Sequence, residues 1–183
     1  LARDVDEVAE AAALCSTRPA DPPAGSRVAL LSVSAGVGQW MQAEAETCGL
    51  ELAPVPRTTS RHLKRILGVP PSNPLDLGAA TVTDPAVMAR VVERVRAIPS
   101  LGAVVVGMHP PDGTSWSDGR NARWLEDLGR IGATPGPAVL AVQVTRSAAP
   151  ATRGMLRGLA TSMRLVAWWL SHPRPTTSPP ADE

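Results

Sequence analysis

Phenylalanine and tyrosine are absent from this sequence, so its five tryptophans are its only aromatic side chains. Lysine occurs once among 18 basic residues, and such an arginine bias more often tracks a GC-rich genome than a function. Against 17 acidic residues this leaves a formal net charge of +1, which excludes a strongly basic nucleic-acid binder on net charge alone. Two cysteines, Cys15 and Cys48, cannot make a zinc site by themselves and do not amount to a disulfide framework. The longest apolar run lies near Leu101 to Met108, far short of the ~20 residues that cross a bilayer, so no membrane association is expected. No basic segment followed by an apolar one opens the chain, and a cytoplasmic protein is expected. The first residue is Leu rather than Met, which leads to the expectation of a fragment or a trimmed start.

What is present fits one domain of ordinary size. The chain has 183 residues, 44% of them hydrophobic, enough for a core that folds without staples. Glycine (15) and proline (19) are frequent but below the composition of a disordered chain. A single α/β domain is expected over residues 1–172, followed by a flexible Pro-rich tail at 173–183.

The pattern along the chain alternates. Asp4 to about Ser16 reads as a helix with Val5, Val8 and Ala12 on its apolar side. Arg27 to Val33 is a continuous apolar run, the mark of a strand buried on both faces. Val37, Trp40, Met41, Ala45 and Cys48 then fall at helical spacing, and Gly49 stops that helix. Leu50 to Val55 reads as a short strand, and Thr59 or Ser60 as the cap of a helix with Leu63, Ile66 and Leu67 inward. Val69 to Gly78 is too proline-rich for a central strand and reads as an ordered loop. Asp84-Pro85 opens a helix striped by Val87, Met88, Val91, Val92, Val95 and Ile98. Leu101 to Met108 is the next buried strand, Asp118 starts a helix, Pro137 to Thr145 is a last strand, and Thr152 to Leu170 a last helix. Strands alternating with helices imply parallel βα units with right-handed crossovers. The expected fold is a three-layer, doubly wound, mostly parallel sheet of flavodoxin-like or Rossmann-like type.

In such sheets ligands bind at the carboxyl ends of the strands. The candidate is Ser32-Val-Ser-Ala-Gly-Val-Gly38, where small residues permit a tight turn and free N–H groups at the helix start attract an anion. Gly36-x-Gly38 is not a dinucleotide fingerprint, because Met41 stands at the third glycine position, and no Gly-Lys-Ser/Thr follows to make a P-loop. Two interpretations stand side by side. Either Ser34, Ala35, Gly36 and Gly38 bind phosphate, or Ser34 merely caps the helix and the glycines merely pack.

Three segments together resemble a known family. Gly25 through Gly38, then Cys48-Gly-Leu-Glu-Leu52, then Asn73-Pro-Leu-Asp-Leu-Gly78, resemble the succinyl-CoA-synthetase-like flavodoxin module of NDP-forming acyl-CoA synthetases, such as ADP-forming acetate–CoA ligase. The opening Asp4-Val-Asp-Glu7 is similar to the segment preceding that module. The resemblance implies a ligase in which a phosphohistidine carries phosphate between an acyl-phosphate/CoA site and an ATP-grasp nucleotide site. It implies that Ser34, Ala35 and Gly36 supply amides to that phosphate, and that Asn73 and Asp76 shape the neighbouring wall. His109, at the carboxyl end of a strand, is placed on the same side. ATP or ADP, CoA and Mg²⁺ are implied for the full enzyme, with none bound by the chain alone. The implied partners are ATP-grasp and CoA-binding domains or subunits and a phosphate-bearing ligand, not nucleic acid. No catalytic residue and no metal ligand are assigned within this chain.

The sequence also departs from the family. None of His62, His109 and His172 lies in a Ser-His-Thr-Gly type segment, Ala35 replaces the first glycine of the usual Gly-Gly turn, and the chain alone cannot complete the reaction. The alternative is a non-catalytic anion- or nucleotide-binding regulatory or interaction domain derived from that fold. Three further features stand outside the motif. His109 with Asp112 and Asp118 reads as an acid/base cluster or a solvated turn. Arg57, Arg61, Lys64 and Arg65 form a basic stripe without an acid. Trp168 and Trp169 cannot both face one core.

Overall fold

The computed structural model describes residues 2–16, 25–110, 118–144 and 154–172. The elements are α1 (Val5–Ser16), β1 (Arg27–Ser32), α2 (Ala35–Thr47), α3 (Arg57–Leu67), β2 (Leu75–Asp76), α4 (Gly78–Thr83), α5 (Val87–Arg96), β3 (Leu101–Met108), α6 (Asp118–Gly132), β4 (Ala138–Gln143), β5 (Met155–Arg157) and α7 (Leu159–Ser171). The strands form one sheet in the order β2-β1-β3-β4-β5, every pair parallel. This is the flavodoxin-like doubly wound order, and it places the switch point between β1 and β3.

Burial explains the continuous apolar runs. All eight residues of β3 are buried, because helices cover both faces of the sheet. Alternate strand residues feed two cores. Ala29, Leu31, Val104 and Val106 pack beneath α3, α5 and α6 with Leu63, Val91 and Trp124. Val28, Leu30, Ala103 and Val105 pack beneath α1, α2 and α7 with Leu14, Met41 and Met163. The three-layer architecture expected from sequence is the one observed.

Several local expectations need correction. The segment 50–55 is not a strand; it makes one parallel bridge, Leu52 to Val28, with the Val28 amide donating to the Glu51 carbonyl at 2.9 Å. The edge position is taken instead by Leu75–Asp76, inside the segment read as a loop, which pairs with Leu31 and Ser32. A proline-rich stretch is tolerated there because an edge strand need not donate on its outer side. The helix α3 starts at Arg57, earlier than Thr59 or Ser60. Met155 and Leu156, assigned by spacing to the last helix, form β5 beside β4. Gly154 (φ 82°) and Gly158 (φ 74°) bracket that strand, and such backbone conformations are those glycine adopts at least cost.

The largest reversal is in α1. Val5 (83% exposed) and Val8 (55%) face outward, as does Ala12, while Glu7 and Glu10 are buried. The Glu7 carboxylate accepts from Nε and Nη2 of Arg164 at 3.1 and 3.0 Å, and from the Arg3 amide at 2.6 Å. Glu10 accepts from the Arg157 amide at 3.0 Å and from Arg157 Nε at 2.8 Å. The helix is oriented by two carboxylate–guanidinium clamps, a force that hydrophobic periodicity does not register.

Candidate functional site

The site follows from how β1 ends. Ser32 is fully buried, and its hydroxyl donates to the Ser34 carbonyl at 2.6 Å, closing a turn that delivers the chain to α2. Ser34 has extended backbone (φ −153°, ψ 132°) and makes no side-chain capping bond. The first intrahelical bond runs from the Gly38 amide to the Ser34 carbonyl at 2.9 Å. The amides of Ala35, Gly36 and Val37 therefore lead the helix, and among the described residues no acceptor is paired with them. Ser34, Ala35 and Gly36 are exposed. A Cβ added at Gly36 would meet nothing nearer than Ser34 Oγ at 3.9 Å, so packing does not demand glycine there.

Gly38 has a different place. It is buried, its amide is already bonded, and a Cβ would lie 3.3 Å from both Pro74 Cβ and Ser32 Oγ. It permits α2 to lie close against the sheet edge, which is a packing role and leaves no amide for an anion. Met41 is fully buried, and its sulfur fills the space above Gly107 on β3, where a Cβ would collide with it. The close helix–strand approach that a dinucleotide fingerprint obtains from a helix glycine is reached here by a strand glycine facing a helix methionine.

Asn73 also serves the scaffold. Its Oδ1 accepts from the Leu30 amide at 2.9 Å, and its Nδ2 donates to the carbonyls of Val28 (3.0 Å) and Ala53 (2.9 Å). The side-chain amide thus acts as a missing peptide between the Leu52 bridge and β2, with both Nδ2 hydrogens and Oδ1 engaged. The Asn73–Pro74 bond is cis. Asp76 is exposed and lies beside Ser32 across the β1–β2 pair, and its Oδ1 accepts from the Gly78 amide at 2.8 Å. The Leu77 amide donates to the Ser32 carbonyl at 2.8 Å, extending the pairing past the strand.

His109 follows β3, two residues beyond Gly107, which is in register with Ser32. It is exposed and stands at the same carboxyl edge as the start of α2. Asp112 and the side chain of Asp118, proposed as its neighbours, lie outside the described residues. His62 is not on a freely solvated face. It is half-buried between α3 and α5, 3.4 Å from Arg94, whose charge together with burial and Arg65 holds its pKa below the usual histidine value. His172 stacks on Trp168 with centroids 5.6 Å apart. Trp169 is buried and Trp168 is 42% exposed, dividing the pair between core and surface.

Sequence reasoning included Ser32 in the candidate segment but missed the role of its hydroxyl, which sets the turn, and the peptide-mimicking contacts of Asn73. The signal for Ser32 was a polar residue closing a fully apolar strand. Among the described residues no three His, Cys, Asp or Glu side chains come together as a metal site. No helix of the described residues is long and apolar enough to cross a membrane.

The strand order, with its switch point between β1 and β3, defines the class as a flavodoxin-like α/β fold. No family model and no curated protein matches the sequence. Solved structures do match. PH0766 from Pyrococcus horikoshii OT3 superposes with a TM-score of 0.67 at 18% identity, over 93% of this chain and 41% of that one. The dinucleotide forming acetyl-coenzyme A synthetase 1 of Ca. Korarchaeum cryptofilum, in complex with phosphate and ADP, superposes at 0.65 and 16% identity, over 93% of this chain and 38% of that one. Its apo form gives the same values. At such identities the likeness is one of fold, and this chain spans about two fifths of the length of these neighbours.

Proposed function

We propose that the chain is one module of an NDP-forming acyl-CoA synthetase, and that the N-terminus of α2 holds a phosphoryl group presented on a histidine by another part of the enzyme. The observation that carries this is a contact between segments distant in sequence. The Ser32–Gly38 turn and the Asn73–Gly78 segment, which carry the family resemblance, lie against one another through Gly38 and Pro74 and through Leu77 and Ser32. The leading amides of Ala35, Gly36 and Val37 would donate to phosphate oxygens, with the helix dipole adding ~0.3–1 kcal/mol. Asp76 and His109 would form the rim, Asp76 fixing the loop beside the turn. ATP or ADP, CoA and Mg²⁺ would be handled by ATP-grasp and CoA-binding partners. The isolated chain is expected to form no acyl-CoA from ATP, acid and CoA.

A second function is favoured by the histidines. None lies in the relay pattern, and the one at the carboxyl edge, His109, is followed by proline. A regulatory or interaction domain that keeps the anion pocket without the relay would look the same at α2.

Titration with inorganic phosphate, followed by amide shifts, tests the pocket. Saturable shifts at residues 34–37 with about millimolar affinity, weakened by salt, are expected. Gly36→Val should suppress them by crowding the approach to the amides. Shifts confined to another loop would refute the assignment.

A further inference from the structure

A groove between α3 and α5, on the layer opposite α1 and α7, is flanked on its α3 side by an outward-facing row of basic residues. Arg57, Arg61, Lys64 and Arg65 are all exposed, α3 contains no acid, and among the described residues none of the four takes part in a salt bridge. They span nine residues, about 12 Å along a helix. The groove beside them is lined by His62, Ile66, Arg90, Glu93 and Arg94. Arg90 is held by Asp84 at 2.8 Å, whereas Arg94 turns toward His62. In a chain of net charge +1, this concentration of positive charge is a local feature rather than a reflection of composition.

We propose that the α3/α5 face is a docking surface for an acidic protein segment, a helix with carboxylates spaced to meet α3 and at least one apolar side chain. Three observations select this partner. The charge extends over more than a single phosphate covers, and the groove is open, so it does not enclose a small anion. Ile66 is half-buried in the groove and Val69, just past the helix end, is 55% exposed, giving an apolar anchor at one end of the charged row. Among the described residues no tryptophan lies on α3 or α5, and the exposed Trp40 and Trp168 belong to α2 and α7 on the other layer, so none of these residues gives the face a platform for stacked bases. Glu93 inside the groove also repels a phosphodiester backbone. The inference stands apart from the ligase proposal, since it uses neither the α2 turn nor any phosphoryl chemistry.

The test is binding of a labelled helical peptide of about 16 residues, with glutamates three and four apart and two leucines, followed by fluorescence anisotropy at about 50 mM salt. Saturable binding is expected, weakened several-fold at about 300 mM salt. Arg61→Glu/Lys64→Glu should weaken it by about tenfold or more, while the same charge change on α6, Arg123→Glu/Arg130→Glu, should change it less than about twofold. Arg57→Ala/Arg65→Ala, a milder change at exposed positions, should weaken it about threefold; each variant is scored only with a wild-type circular dichroism spectrum. Equal loss in the α6 control, or no saturable binding, would overturn the proposal. So would tighter binding of single-stranded DNA of matched charge that is lost in the same α3 variant, which would reassign the face to a polyphosphate.

Discussion

The two helical layers solve the same problem in opposite ways. On one, α5 presents Val87, Met88, Val91, Val92 and Val95 to the sheet and keeps Arg90, Glu93 and Arg94 outside. On the other, α1 turns Glu7 and Glu10 inward and leaves Val5 and Val8 in solvent. The difference lies in what each helix meets. The helix α5 lies over β3, which offers an aliphatic surface. The helix α1 lies over β5 and α7, which offer the guanidiniums of Arg157 and Arg164. Burying a carboxylate is costly unless its oxygens are bonded, and here both oxygens of each glutamate accept a hydrogen bond. A helix can therefore be seated by charge where its neighbour is cationic, even when its valines would favour the other face.

The contrast can be broken experimentally, beginning with the sheet that both layers share. Asn73→Ala removes three side-chain bonds to the Leu30 amide and the Val28 and Ala53 carbonyls. At ~1 kcal/mol for each bond, a loss of about 3 kcal/mol in urea unfolding is expected, with both layers unfolding together. A change below about 1 kcal/mol would mean that water replaces the amide.

The next effect separates the layers. Val91→Ala, at a fully buried position, should cost about 2 kcal/mol through lost burial and the cavity left behind. Val8→Ala, the same substitution on α1, should stay within about 0.5 kcal/mol. Equal costs would show that α1 buries its valines after all.

Acid should separate them as well. The Arg3 amide, and after it Arg164, hold the Glu7 carboxyl below its ordinary pKa of 4.5. A depressed carboxylate contributes stability above its unfolded-state pKa, and that contribution disappears as pH falls through the lower folded value. The Glu7 clamp on α1 is thus complete at neutral pH and is lost progressively as pH falls from 4.5 through the lower folded value. Asp84 is shifted the same way by the Ala86 amide and Arg90, but it secures only the turn before α5, whose valines stay buried. Amide exchange near pH 3 should therefore open α1 before α5. The reverse order would contradict the assignment of α1 to its ion pairs.

The smallest effects concern the α2 turn. Ser34→Ala should cost less than the ~1 kcal/mol of a typical cap, because Ser34 makes no capping bond. Gly36→Ala should stabilise by up to about 0.5 kcal/mol, since its Cβ enters open space and alanine favours helix. If Gly36→Ala stabilises the fold yet reduces the phosphate-induced shifts, access to the amides, rather than helix stability, is what the glycine supplies.

Much of the scaffold was legible in the residues. Leu101 to Met108 is a strand with the bounds expected from its apolar run, Asp118 opens α6, and Gly49 at φ 73° ends α2 where a C-terminal glycine should. Burial on both faces leaves a continuous hydrophobic signal, and a left-handed residue leaves a glycine, so both can be read without a neighbour. The Ser32–Gly38 turn was legible for the same reason, as small residues after a buried strand. Tertiary structure alone decided that Leu75–Asp76 is the edge strand, that Asn73 completes it as a surrogate peptide, and that Met155–Arg157 is a strand instead of a helical turn. It also decided which side of α1 is buried and that Gly38 packs while Gly36 remains open. Each of these depends on a partner far along the chain: an edge strand exists only through pairing, an amide can replace a peptide only where one is missing, and a glutamate is buried only where an arginine waits for it.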